Sequence, residues 1–165
     1  MSDLNQELRN VQNPALGAYI LWNFVRGYYG GSTSFVPFPL LFVVLPILFR
    51  EDIAEVLYST NRPTGLRNFA DKFSSKKELK NDVVAQLHDS SEAMKGLTLE
   101  SIQIAIGASL ISIDNNDALV MPISMTEHKS EPKEIVKMGK ASEKLGYWCS
   151  QITLHEISQI LKVRF

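Results

Sequence analysis

A single cysteine, Cys149, among 165 residues leaves no intrachain disulfide and no multi-cysteine zinc site to be made. That scarcity fits a reducing compartment, and a cytoplasmic location is expected. The opening stretch, MSDLNQELRN, is polar and mixed in charge, without the basic-then-apolar order of a signal peptide. A charge surplus is also missing: the net charge is −1, which gives no global pull toward DNA or anionic lipid. The three histidines, His88, His128 and His155, stand at no metal-ligand spacing from cysteine, aspartate or one another. Neither a metal nor a cofactor is therefore expected. There is no internal repeat and no low-complexity tract. What remains is ordinary for a globular chain, 45% apolar and 21% charged residues, with length for one domain and a real core.

An apolar run long enough for a membrane helix, about 20 residues, is absent too. The longest, Phe35 to Phe49 (FVPFPLLFVVLPILF), has fifteen residues, three prolines and no polar side chain, and ends at Arg50-Glu51-Asp52. It reads as a buried helix, entered through Pro37 and Pro39 and kinked at Pro46. A segment facing a partner and an insertion into lipid are the other readings. A helix apolar on every side must be covered on every side.

The neighbouring segments supply cover. Residues 1–12 are a polar lead-in. Asn13-Pro14 caps and opens a helix through ALGAYILWNFVRGYY, which should end at the Gly30-Gly31 pair. A helix over REDIAEVLYST, a turn at residues 61–65 and a short helix with Leu66, Phe69 and Phe73 inward come next. A soluble helix over about 76–95, with Leu79, Val83, Leu87 and Met94 inward, ends at Gly96, and Thr98 opens another to Gly107. SLISI and ALVMPI around Asp114-Asn115-Asn116-Asp117 read as a β-hairpin. Residues 126–132 form a loop, 133–148 a helix, and 153–161 a last amphipathic helix. The fold class is mainly α with a small β-hairpin, α+β, as a single domain. Its parts are a helical core over 13–60, a middle segment over 64–123 and C-terminal helices over 133–165.

Candidate chemistry is sparse. His88-Asp89-Ser90 holds catalytic residue types, but sequence neighbours do not make a triad, and a solvated helix face explains them. Cys149 follows Trp148 at a helix end, the place of a buried structural thiol. Gly30-Gly31-Ser32-Thr33 lacks the lysine and the preceding strand of a phosphate loop. Lys133, Lys137, Lys140 and Lys144, spaced by 4, 3 and 4, form one helical stripe. They could contact phosphates or an acidic partner, or simply face solvent. The order helix, helix, helix, hairpin over Leu66 to Ile123 is that of a winged-helix module. Its reading helix, TLESIQIAIG, carries no lysine or arginine, and its wing tip carries two aspartates. Both oppose DNA binding, so such a module would bind protein.

NPALGAYILWNFVRGYY, the proline-rich run ending LPILF, the acidic helix after it, and the Leu145-Gly146-x-Trp148 helix followed by ILKVRF together resemble one family. It is the middle component of three-component ABC (ABC-3C) systems. Residues 124–138 do not fit that pattern. The resemblance implies an accessory, non-catalytic subunit of a Lamassu-type antiphage system. There it would sit between an SMC-like or Rad50-like ATPase and an effector, often a nuclease. No catalytic residue comes with it, and no membrane or small-molecule substrate is implied. Tyr28, Tyr29, Phe35 and Phe38, aromatics around a glycine turn, with Ile157 and Ile160 of the last helix, are the expected protein interface. A DNA-binding accessory module using the lysine stripe with Lys76, Lys77 and Lys80 is the alternative.

Overall fold

The computed structural model describes residues 13–72, 80–127 and 131–165. Residues 1–12, Phe73, Lys76, Lys77, Leu79, His128 and the side chains of Lys80 and Val83 lie outside the described residues.

Helix α1, Pro14–Ser32, is the axis of the molecule. The Asn13 side chain accepts from the amides of Ala15 and Leu16, and Pro14 takes the first turn, where its missing N–H matters least. Ile20, Leu21, Trp22, Phe24 and Val25 are completely buried. The helix does not end at Gly30-Gly31. It continues to Ser32, and Thr33 in the left-handed region caps it by donating to the Tyr29 carbonyl.

Most of the apolar run is buried, Phe35 excepted, but it is not one kinked helix. It divides into strand β1 (Val36–Pro37), a 3₁₀ helix (Phe38–Val43) and the short α2 (Val44–Leu48). Proline spacing explains the division. Pro37 lies on an edge strand, where a missing donor costs least, and Pro39 falls in the first turn of the 3₁₀ helix. Pro46 occupies the first turn of α2, where no internal bond is lost. Leu40, Leu41, Leu45 and Ile47 are fully buried. Each such side chain stabilises by roughly 1.5–3 kcal/mol.

Next come α3 (Glu51–Ser59), a 3₁₀ turn (Arg62–Thr64), α4 (Gly65–Lys72), α5 (Lys80–Ala93) and α6 (Lys95–Gly107). Gly96 does not separate the last two. The break comes at Met94, Gly96 sits in the first turn of α6, and Thr98 is a buried helical residue rather than a cap. The hairpin of β2 (Ile111–Asp114) and β3 (Leu119–Pro122) pairs Asp114 with Leu119 and Ile111 with Pro122. At its tip the Asp114 carboxylate accepts the Asn116 N–H. Strand β1 adds antiparallel to β3, giving the order β1-β3-β2, with Val36 opposite Val120. The ladder extends to the Phe38 N–H on the Ala118 carbonyl.

Helices α7 (Lys133–Ser150) and α8 (Leu154–Leu161) close the chain, α8 opening with a capping box between Thr153 and Glu156. The molecule is mostly helical with one small antiparallel sheet. Within the middle segment, α6 lies chiefly on α1, and α4 on α7 and α8. Among the described residues no helix is long and apolar enough to cross a membrane.

Helices α1 and α7 make the most extensive contact in the fold. They run parallel: Tyr19 meets Gly139, Ile20 accepts from Ser142, Phe24 meets Gly146, and Gly31 meets Ser150. Glycines make the approach possible. A β-carbon on Gly27 would overlap the Glu143 backbone, and one on Gly146 the Phe24 carbonyl. Gly31 and Gly139 similarly face side chains across the seam.

Candidate functional site

Two surfaces hold the residues that the sequence singles out. The first lies where α1 ends. Tyr29 and Phe35 stack across the turn with centroids 6.0 Å apart and planes 9° from parallel. Phe35 is 40% exposed, a large aromatic face presented to solvent. Phe38 is half-buried and meets Phe42 edge-on at 5.5 Å. Tyr28 leans inward on Phe24, and burial pushes its phenol pKa up. The α8 residues separate. Ile160 is half-buried and lines a crevice with Trp148 and Gln151. Ile157 is 1% exposed and belongs to the core, so this chain offers no Ile157 surface to a partner. Gln151 links the two regions, donating to the Gly31 carbonyl at 3.1 Å.

The second surface is the lysine stripe. Helix α7 does place Lys133, Lys137, Lys140 and Lys144 along one groove of about 660 Å³, with Tyr58 of α3 opposite. The four side chains are not equivalent. Lys133, Lys137 and Lys140 are exposed. The Lys137 ammonium lies 4.4 Å from the centre of the Tyr58 ring. Lys144 turns inward and donates to the carbonyls of Leu57 and Thr60, both at 2.6 Å. Those carbonyls end α3, so Lys144 caps that helix from a distance of 84 and 87 residues in the chain. Lys72 donates to the Thr60 hydroxyl beside it. Burial first, and the nearby Lys72 charge second, lower the Lys144 pKa. A phosphate contact is therefore open to Lys133 and Lys140 but not to Lys144.

Changing Lys144 to methionine keeps most of the stem and removes both bonds. The expected loss is about 1.5–3 kcal/mol, the range for hydrogen bonds to a charged group. Urea denaturation of the free chain measures it, and an unchanged midpoint would show that Lys144 is not a cap.

Other polar residues serve the fold. Arg26 is buried on Trp22 at 4.8 Å, donates to Asn23 and to the Met125 carbonyl, and lies 3.8 Å from Glu143. The Trp22 indole donates to the Ser124 carbonyl. Together they tie residues 124–125, the stretch that fits no sequence pattern, onto α1. Cys149 is fully buried, and burial raises its pKa far enough to keep the thiol protonated. His155 contacts Gln159. Among the described residues no three histidine, cysteine, aspartate or glutamate side chains gather as metal ligands.

The family model for the ABC-three component (ABC-3C) system Middle Component 3 matches residues 1–165. The chain belongs to this family. No curated protein and no solved structure matches it. A middle component is by definition one part of a system with others, so surfaces that could meet a partner are of interest. The exposed apolar side chains of this Middle Component 3 chain suit that role. Besides Phe35 they include Leu99 and Ile106, seven residues apart on one flank of α6, and Ile123 and Met125 after the hairpin. Sequence reasoning missed these four. The signal was there in α6, whose apolar residues are spread around the helix instead of gathered on one side.

Proposed function

We propose that the chain is a non-catalytic accessory subunit that bridges an SMC-like or Rad50-like ATPase and an effector in a Lamassu-type antiviral system. The observation that carries this reading is the family match over the whole chain. The site geometry supports it. Buried and half-buried polar side chains such as Trp22, Arg26 and Lys144 are spent on loop anchors and a helix cap, while several large apolar groups face outward. Aromatic groups held rigid at a turn are the usual anchors of a protein interface. The Tyr29–Phe35 pair, with Phe38 and Ile160 near it, is where we place the contact.

Co-expression with the adjacent components tests the role. The chain should co-elute with them at physiological salt, and elution alone would reject the reading. Tyr29→Asp with Phe35→Asp should abolish that co-elution while the far-UV circular dichroism of the free chain stays unchanged. Intact assembly by the double variant would move the interface elsewhere. Direct DNA contact through the stripe is the other reading; with Lys144 turned inward and Lys137 on Tyr58, less of the stripe is open to phosphates.

A further inference from the structure

We infer that the groove between α3 and α7 receives an acidic, partly apolar segment of a partner subunit. The inference rests on the accessory-subunit reading and adds a second contact, distinct from the aromatic turn. Three observations carry it.

The first is charge. In a chain of net charge −1, this groove is lined by four lysines against one glutamate, Glu131. Two of the nearby acids are drawn elsewhere. Glu143 turns to Arg26, and Asp52 pairs with Arg50. A local surplus of one sign, set in a molecule without one, is complementary to a ligand of the opposite sign.

The second is the floor. Between the lysines lie Val136, Ala141 and the Tyr58 ring, so the groove offers apolar contact as well as charge. A segment with carboxylates on its edge and an aliphatic or aromatic anchor at its centre satisfies both. Its volume, about 660 Å³, lies within the range of built recognition pockets.

The third observation separates a peptide from a nucleic acid. Single strands bind through bases stacked on open aromatic faces. Here one face of the Tyr58 ring is covered by the Lys137 ammonium at 4.4 Å. Lys144 is tied to α3. Lys133 and Lys140, both exposed, remain to pair with carboxylates.

Zero-length carbodiimide coupling in the assembled co-expressed complex tests this, because it joins an amine to a carboxylate only where the two already touch. Lys133 and Lys140 should appear in cross-links to aspartate or glutamate of a partner subunit. K133E/K140E, with both substitutions on exposed positions of α7, should leave the melting temperature of the free chain unchanged. It should weaken assembly at least tenfold. Assembly of normal strength by K133E/K140E, or lysines as reactive to acetylation in the complex as in the free chain, would overturn the inference alone. Failure of the unmodified chain to assemble would overturn the accessory-subunit reading and this inference with it. Binding of a labelled DNA duplex by the free chain that K133E/K140E abolishes would assign the groove to phosphates instead.

Discussion

Gly146→Val should lower the stability of the free chain by about 3 kcal/mol or more, the upper part of the range for overpacking. At this chain length that corresponds to a fall in Tm of about 6–12 °C. The size comes from what the new methyl groups would strike. Around most core positions a larger side chain meets other side chains, which can change rotamer. Around Gly146 it meets the Phe24 carbonyl and the Tyr28 amide, which are backbone of the central helix α1. Relief would require α1 and α7 to separate along their whole seam, opening the best-packed contact in the protein. Gly27→Val should behave alike, because its obstacle is the Glu143 backbone. Gly30→Ala is the control. It lies in the same helix with nothing near its missing β-carbon, so it should stabilise by up to about 1 kcal/mol through helix propensity. Thermal unfolding followed by circular dichroism separates the two outcomes. Equal effects at Gly30 and Gly146 would mean that the glycines act through the unfolded chain and not through the seam.

Trp148→Ala should cost about 3–5 kcal/mol, as large aromatic truncations in cores do. Trp148 is 2% exposed, stacks obliquely on Phe69 at 5.5 Å and donates its indole N–H to the Arg62 carbonyl at 2.7 Å. It thus joins α7, α4 and the 3₁₀ turn at once. Trp148→Phe keeps much of the ring contact but loses the donor, and about 1–2 kcal/mol is expected. Urea midpoints of the two variants divide the packing part from the polar part. A phenylalanine variant as unstable as the alanine one would place the main effect in the Arg62 bond.

The sequence was most legible where the cause is local. Asn13-Pro14 starts a helix because a side-chain acceptor and a preset φ act within three residues, and α1 begins there. The hairpin around Asp114–Asp117 is equally local. Burial of the Phe35–Phe49 run was legible from composition alone. Its shape was not, since β1 exists only because Val36 meets Val120, a residue far along the chain. Gly31 misled for the same reason. A glycine pair near a helix end normally signals termination, and here Gly31 is a contact point for Ser150 and Tyr147. The stripe of lysines was visible in the spacing, but which lysine turns inward was decided by α3 lying beside it. Ile157 fell on the apolar face of its helix, and that face proved to be the covered one.

The parallel pairing of the first and penultimate helices sets the order in which this polypeptide can become itself. The Ile20 carbonyl waits for Ser142, 122 residues later. At roughly 5–20 residues per second, that is about 6–24 s of ribosomal synthesis during which α1 lacks its largest partner. Long-range closure of this kind is slow even after release. A chain that stops before α7 leaves the α7-facing side of α1 uncovered, and its expression should give a smaller soluble fraction than the whole chain.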